Sequence, residues 1–445
     1  MNLKTFVRWV SAMFLAFLIF RAELANSEEL TLDLKQTLDE VDNGSLVLKK
    51  NKAQVEEQKY KRIQASSAFI PTLNGSINYL THKRYMLLDV NLGSGAATIP
   101  QVVPTSQYTL SVRWNLFDGF ASTYRLLSAN QNLKASEDES EWMQFQLERN
   151  SILMFYKLLA AKEIKEVVLA NLQALQDHLK DTESAKRVGV ATQYDLLRTQ
   201  VQLSEAQTEL INAEDNIQTA YDRLAEALGK EKESRLPNGK LPILDASLVK
   251  DIASPEAGKR KDLQSLEKHA EAANYSYQAA NKHWFPKVSL FGDYQYYNNR
   301  TDGFDDTASF REGYLVGINL TWNLFDGFSS FAKSGQAEMQ ALQINNTLQI
   351  AQLKAKSDSL LWKRKFLYNC SVYKAKSADI DRSIEALRLS KAGRKVGVRT
   401  NTDILDAQAD LNRSKIAQIN SQIGTIESLV NLELSLGQKL YSFEN

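Results

Sequence analysis

Two short stretches bring together residue types whose spacing points to a specific role. Thr192 and Asp195, and again Thr400 and Asp403, set a hydroxyl three residues ahead of a carboxylate, just after a glycine (Gly189, Gly397). That is a capping-box pattern at a helix start, with Asp in place of the usual Glu. It also sets an acid against the positive end of the helix dipole. Asp406 lies beyond the first turn, where capping does not account for it. Enzymatic chemistry has little to work with. His82, His178, His269 and His283 are scattered without ligand spacing, so no metal site is expected. Cys370 is the single cysteine, which excludes an intrachain disulfide framework and a Cys-rich cluster. No G-x-S-x-G or phosphate-loop pattern occurs. The expectation is a protein that is not an enzyme and needs no cofactor.

The elements that position those stretches follow from the rest of the 445 residues. With 54 Lys+Arg against 53 Asp+Glu the net charge is +1, which gives no electrostatic reason to expect nucleic acid as a partner. Lys4 and Arg8 precede an apolar run over 9–20, too short to span a bilayer as a helix. Ala25-Asn26-Ser27 then fits a cleavage site, so 1–27 reads as a secretory signal peptide. No Cys adjoins that site, which excludes a bacterial lipoprotein anchor.

The remainder is one unit written twice. Trp114-Asn115-Leu116-Phe117-Asp118-Gly119-Phe120 recurs as Trp322-Asn323-Leu324-Phe325-Asp326-Gly327-Phe328. Val188-Gly189-Val190 recurs as Val396-Gly397-Val398, and Leu228-Gly229 as Leu436-Gly437. All three pairs share one offset of 208 residues. Phe69-Ile70-Pro71 resembles Trp284-Phe285-Pro286 at an offset of 215, so the first copy carries seven extra residues between Pro71 and Trp114. That stretch holds Gly93, Gly95, Pro100 and Pro104, a loop composition. The expected organisation is a first repeat over 28–235, a linker over 236–260, and a second repeat with the C-terminal end over 261–445.

Proline punctuates the elements. None of the 7 Pro falls between 105 and 236 or after 286, so long helices are permitted there. Ile152, Tyr156, Ala160, Ile164, Val168, Leu172, Leu175 and Leu179 step by four and three along one helical face. The expected helices run over 121–187 and 192–228, and again over 329–394 and 400–436. A helix of the first length is on the order of 100 Å long, coiled-coil-like, and must pack along its whole length. Strands show period two. Tyr108, Leu110, Val112, Trp114 and Leu116 alternate with polar residues. So do Tyr314 to Leu324, Leu73 to Tyr79, and Val288 to Tyr296, with Phe291 and Tyr297 as blemishes. Segments of about ten residues, apolar on one side and polar on the other, fit transmembrane β-strands. The fold class is therefore an internally duplicated α+β membrane protein with four β-strands per chain. A closed membrane barrel needs at least eight strands, so several copies must join to close one.

The signal peptide, the duplicated helix–strand–strand–helix plan, and the paired WNLFDGF and VGV segments resemble the TolC family of outer-membrane efflux and secretion channels, over essentially the whole mature chain. That resemblance implies a homotrimer with a 12-stranded transmembrane β-barrel in outer-membrane lipid of a Gram-negative bacterium, and an α-helical periplasmic tunnel. It implies an exit duct of a tripartite efflux pump or type I secretion system. Its tip would be opened by a periplasmic adaptor (membrane fusion) protein and an inner-membrane transporter of ABC, RND or MFS type. Val396-Gly397-Val398-Arg399-Thr400-Asn401-Thr402-Asp403-Ile404-Leu405-Asp406-Ala407 is similar to the family's second tip motif, V-G-x-R-T-x-x-D-x-L-D-A. The match implies that Asp403 and Asp406 line the pore constriction, and that Arg399 holds the tip closed with Asp195 as partner. Some members place Tyr two residues before the motif, where this chain has Arg394. In a trimer the two acids supply six carboxylates around one axis, an arrangement that favours cations. Gly189 and Gly397 are expected to make the tip turns, and Asp118-Gly119 and Asp326-Gly327 the strand-to-helix turns, with Ser122 or Ser329 capping the helix that follows. A secreted coiled-coil protein spacing envelope layers, without a conduit, would explain the helices but not the strands.

Overall fold

The computed structural model describes residues 31–81, 87–91, 93, 95–100, 104–250, 260–298 and 307–443. The expected signal peptide and most of the latter half of the expected linker lie outside them. In chain order the elements are β1 (Thr31–Leu32), α1 (Leu34–Gly44), α2 (Leu46–Ser66), β2 (Thr72–Tyr79), β3 (Leu87–Asn91), β4 (Ala96–Pro100), β5 (Ser106–Phe117), α3 (Ala121–Arg187) and α4 (Gln193–Leu228). The second half holds β6 (Leu236–Pro237), α5 (Lys261–Asn281), β7 (Lys287–Asn298), β8 (Arg311–Thr321), α6 (Ser329–Lys395) and α7 (Asn401–Leu436).

The duplication appears residue for residue. Helices α3 and α6 both have 67 residues, α4 and α7 both have 36, and α2 and α5 both have 21. Both 36-residue helices end at a glycine in the left-handed conformation, Gly229 and Gly437, each with φ 70°. The described residues form two compact units, and each unit draws on both repeats.

One unit takes described residues from Lys52–Glu139 and Asp262–Ala351. Its centre is an antiparallel sheet in the order β2-β5-β7-β8. The register aligns Leu73, Val112, Gly292 and Val316 in one row, and Gly75, Leu110, Tyr294 and Tyr314 in the next. In these rows one face is apolar across all four strands, with Glu312 in the next row accepting from the Tyr294 hydroxyl at 2.8 Å, and the face is exposed: Ile77, Val316 and Ile318 each leave about two thirds of their surface open. On the other face Arg113 and Asp293 form a two-pronged ion pair at 2.7 and 3.1 Å. The two irregularities in the alternation of β7 have physical reasons. Phe291 lies over Gly317, where a Cβ would stand 2.8 Å from the ring, and Tyr297 lies against Gly313.

Two expectations about this unit need correction. The loop-like stretch with the extra residues holds a hairpin, β3 paired with β4. Gly93 (φ 77°) and Gly95 (φ 151°) serve the turn, and Val90, Thr98 and Ile99 are strand-forming types beside it. Strand β8 also stops at Thr321 instead of running to Leu324. Its copy β5 runs on to Phe117 because β7 pairs with it as far as Val288, whereas Thr321 already faces Lys287, the first residue of β7.

The other unit takes described residues from Met1–Asn51, Ser140–Lys261 and Gln352–Asn445. Its core gathers Leu32, Val41, Ile152, Phe155, Leu224, Phe366, Ile426 and Leu432, drawn from β1, α1, α3, α4, α6 and α7. Each such side chain contributes roughly 1.5–3 kcal/mol by leaving water. Strand β1 pairs in parallel with β6, through Thr31 with Leu236 and Leu32 with Pro237. Inside this core Arg149 reaches the fully buried Glu433 at 2.9 Å, and the same carboxylate accepts the backbone N–H groups of Leu440 and Tyr441. At its margin Glu233 titrates at about 2. Burial pushes its pKa up, but the Arg235 guanidinium and two backbone N–H groups outweigh that effect.

Candidate functional site

The site is built where α3 turns into α4 and α6 turns into α7. Each long helix ends in the same way. Gly189 takes φ 81° and Gly397 φ 76°. The N–H of Val190 closes on the carbonyl of Ala185 at 2.9 Å, and that of Val398 on Gly393 at 3.0 Å. The glycine N–H groups close on Lys186 and Arg394 at 3.0 and 3.1 Å. This is the Schellman closure, which satisfies carbonyls that a helix end leaves open.

The next helix begins with a complete capping box in both repeats. The Asp195 N–H donates to Thr192 Oγ1 at 3.1 Å, and the Thr192 N–H returns to the Asp195 carboxylate at 2.9 Å. For Thr400 and Asp403 the distances are 3.2 and 2.7 Å. The backbone N–H groups of Thr192 and Thr400 hold both carboxyls below their ordinary range. Asp403 and Asp406 share one side of α7, because the residues between and after them face inward. Leu405 packs with Leu175 and Ala206, and Ile404 packs with Leu387, Ala407 and Leu411. The Asp406 side chain is 63% exposed.

The ion pairs differ from the expected one. Within the chain Arg399 does not reach Asp195. Its stem lies over Gly393, with Cγ 2.6 Å from where a Cβ would stand there, and its guanidinium reaches Asp403, four residues on in the first turn of α7, at 3.8 Å. The cation whose field acts on Asp195 is Arg394, the residue standing where some family members have an aromatic. Between the turns of this site, Arg198 with Asp406 joins the two repeats, at 3.3 Å. Asp406, unexplained by capping, thus has a partner.

Sequence reasoning passed over three residues here. Asn401 is 3% exposed; its side-chain amide donates to Thr199 Oγ1 at 3.2 Å, and its carbonyl accepts from His178 Nε2 at 2.7 Å. These bonds stitch α3, α4 and α7 together beside a groove of about 540 Å³ that His178 and Asn401 share with Asp181, Lys391 and Arg394. Burial lowers the His178 pKa, the Asn401 hydrogen bond and Asp181 oppose that, and Lys391 and Arg394 add to it. His178 carried no spacing signal. Arg198 did carry one, since it stands 208 residues before Asp406 and so occupies the same position of the other repeat.

The strand-to-helix turns lie in the sheet-bearing unit. Gly119 and Gly327 take φ 72° and 67°, and each is followed by a phenylalanine also at positive φ, Phe120 at 67° and Phe328 at 68°. The expected serine caps are corrected. The Asp118 carboxylate accepts the Ser122 N–H at 3.0 Å and its hydroxyl at 2.6 Å, and Asp326 does the same for Ser330. The aspartate is the cap and the serine is its donor, because the carboxylate four residues earlier already fills the place where a serine oxygen would accept. Trp114 Nε1 donates to the Phe69 carbonyl and Trp322 Nε1 to the Trp284 carbonyl, both at 3.0 Å.

No helix among the described residues is long and apolar enough to cross a membrane. The sequence model of the family described as outer membrane efflux protein matches residues 37–230 and 256–438, roughly one stretch per repeat. The outer membrane protein TolC of Vibrio cholerae is 23% identical over 293 residues, 64% of this chain and 66% of that protein. The pyoverdine export outer membrane protein OpmQ of Pseudomonas aeruginosa is 22% identical over 408 residues, 86% of this chain and 81% of that one. Among solved structures, the outer membrane protein VceC from Vibrio cholerae superposes with a TM-score of 0.76 at 17% identity, covering 92% of this chain and 97% of that one, a likeness of fold. The TolC resemblance drawn from the WNLFDGF and VGV segments and the matched family agree. With well over half of its length matched, this chain belongs to the outer membrane efflux protein family.

Proposed function

We propose that the chain is the outer-membrane exit duct of a tripartite efflux pump or type I secretion system. It conducts passively once a periplasmic adaptor and an inner-membrane transporter open its tip. The observation that carries this reading is the sheet order β2-β5-β7-β8, an antiparallel sheet with one apolar, exposed face and β2 and β8 at its margins. In hydrocarbon each unpaired backbone group costs several kcal/mol, so such margins call for neighbours. An even strand number makes the join regular, since β8 of one copy lies antiparallel to β2 of the next. Three copies give the 12-stranded barrel, with Ile77, Val316 and Ile318 toward lipid and Arg113 with Asp293 toward the lumen.

The flanking helices support the same join. α2 leads into β2 and leaves Tyr60 and Ile63 exposed. α6 follows β8 and leaves Phe331, Met339, Leu342 and Ile350 exposed. Pairing β8 with a neighbour's β2 brings these two apolar faces together. At the tip, Asp403 and Asp406 line the constriction of the trimer. A coiled-coil spacer would leave the apolar sheet face against water, so the conduit is the better reading. Conductance of the purified protein in planar bilayers tests it. Discrete channel currents are expected from a species that runs as a heat-modifiable trimer, and a bilayer-inert monomer contradicts it.

A further inference from the structure

We propose that Arg198 sets the ion selectivity of the tip by cancelling the charge of Asp406. This rests on the reading that Asp403 and Asp406 line the constriction, and it changes what that constriction is. The two acids are held differently. Asp403 spends its carboxylate on the N–H and hydroxyl of Thr400, with Arg399 at 3.8 Å. Asp406 takes no part in a cap, and among the described residues Arg198 is the cation within ion-pair distance of it.

The guanidinium is placed to do this. Arg198 Nη1 donates to the Tyr194 hydroxyl at 3.4 Å, one helical turn back, while Nη2 donates to Asp406 at 3.3 Å. Its Nε is buried, so the stem is tucked against the protein and the head is held at the carboxylate. The duplication explains why this contact exists. Arg198 and Asp406 hold the same position in the two repeats, so where α4 and α7 meet, the position meets its own copy. Like charges there would repel, and this chain has placed opposite charges.

The consequence is a count. Each copy brings Asp403 and Asp406 to this end, and also Arg399 and Arg198. Three copies then set six guanidiniums against six carboxylates at these positions, beside three more of each from Arg394 and Asp195. Such a mouth is charge-compensated and far less cation-selective than a bare ring of six acids. Removing Arg198 exposes three carboxylates without their partners.

The test is the permeability ratio of K⁺ to Cl⁻ for the full-length protein in planar bilayers under a KCl gradient. Arg198→Gln is expected to raise the ratio about twofold or more over wild type. Asp406→Asn, which leaves Arg198 unopposed, is expected to lower it below wild type. The double variant and Arg198→Lys are both expected near the wild-type value. If Arg198→Gln and Asp406→Asn leave the ratio unchanged while Asp403→Asn shifts it, the inference about Arg198 is overturned and the constriction stands. If none of the three shifts it, the constriction reading itself falls and the inference falls with it. The Arg198→Lys variant separates lost charge from lost folding, because a ratio far from wild type in that variant contradicts a role through charge.

Discussion

The strand-to-helix turns and the tip turns are each present twice, and the two pairs have diverged to different degrees. At the strand-to-helix turns the copies match in backbone and side chain: paired glycines near φ 70°, paired phenylalanines at positive φ, and the same Asp–Ser cap. At the tip the backbone closure and capping box also match, but the side chains around them do not. Gln193 stands against Asn401, Arg198 against Asp406, and Lys186 against Arg394. A turn that needs left-handed backbone tolerates few sequences, so duplication leaves it unchanged. Where the two copies touch one another, identical side chains would meet their own kind, and divergence is what makes the contact attractive.

The largest expected effect probes a divergence in the core. Glu433 is buried at the place where the first repeat has buried Ala225. Glu433→Ala removes the buried partner of Arg149, leaving it Glu148 at 3.8 Å, and should cost about 3 kcal/mol, seen in urea unfolding; alanine at both repeat positions is therefore not neutral. Next comes a comparison that looks symmetric but is not. At Gly119 a Cβ would fall 2.5 Å from Phe285 Cβ, while at Gly327 nothing lies within 4 Å. In the unassembled chain Gly327→Ala should cost about 1–2 kcal/mol for its positive φ alone, and Gly119→Ala roughly 1–3 kcal/mol more. Equal losses in thermal unfolding of that species would show that the crowding at Gly119 relaxes freely.

The caps give a smaller, matched pair. Thr192→Ala and Thr400→Ala should each cost about 1 kcal/mol, read as faster amide exchange in the first turns of α4 and α7. Unequal losses would break the likeness of the two boxes. The smallest effect is one of pH. Burial lowers the His178 pKa, so the neutral ring is favoured in the folded tip. Its contribution is present above its ordinary value of 6.5 and is lost as pH falls through the depressed one. Asp181 beside it opposes the loss, and Lys391 and Arg394 across the groove favour it. Closed-state leak should rise modestly on acidification below 6.5 in the wild type, and His178→Gln should flatten that rise.

These comparisons also show what a single sequence reveals. Helix ends were legible to within a residue because Gly189, Gly229, Gly397 and Gly437 stop helices and Thr192 and Thr400 start them by local chemistry. The end of β8 was not, because strand length depends on a partner, and Trp322 to Phe325 lie beyond the reach of β7. The hairpin β3–β4 was hidden by glycine and proline, which mark turns and strand ends alike. At the tip the cap geometry could be read from spacing three residues apart. The partners of Arg399, His178 and Asn401 could not, since they depend on where a side chain leans across another helix. Arg198 is the instructive middle case: an offset of 208 already paired it with Asp406, and only the contact between α4 and α7 gave that pairing a physical meaning.

In the proposed channel one protomer supplies a third of the wall. Native mass spectrometry of the detergent-solubilised protein, taken from the preparation that conducts in bilayers, tests this most directly. Three chains per particle is the expected result. A particle of one chain that conducts by itself would contradict it.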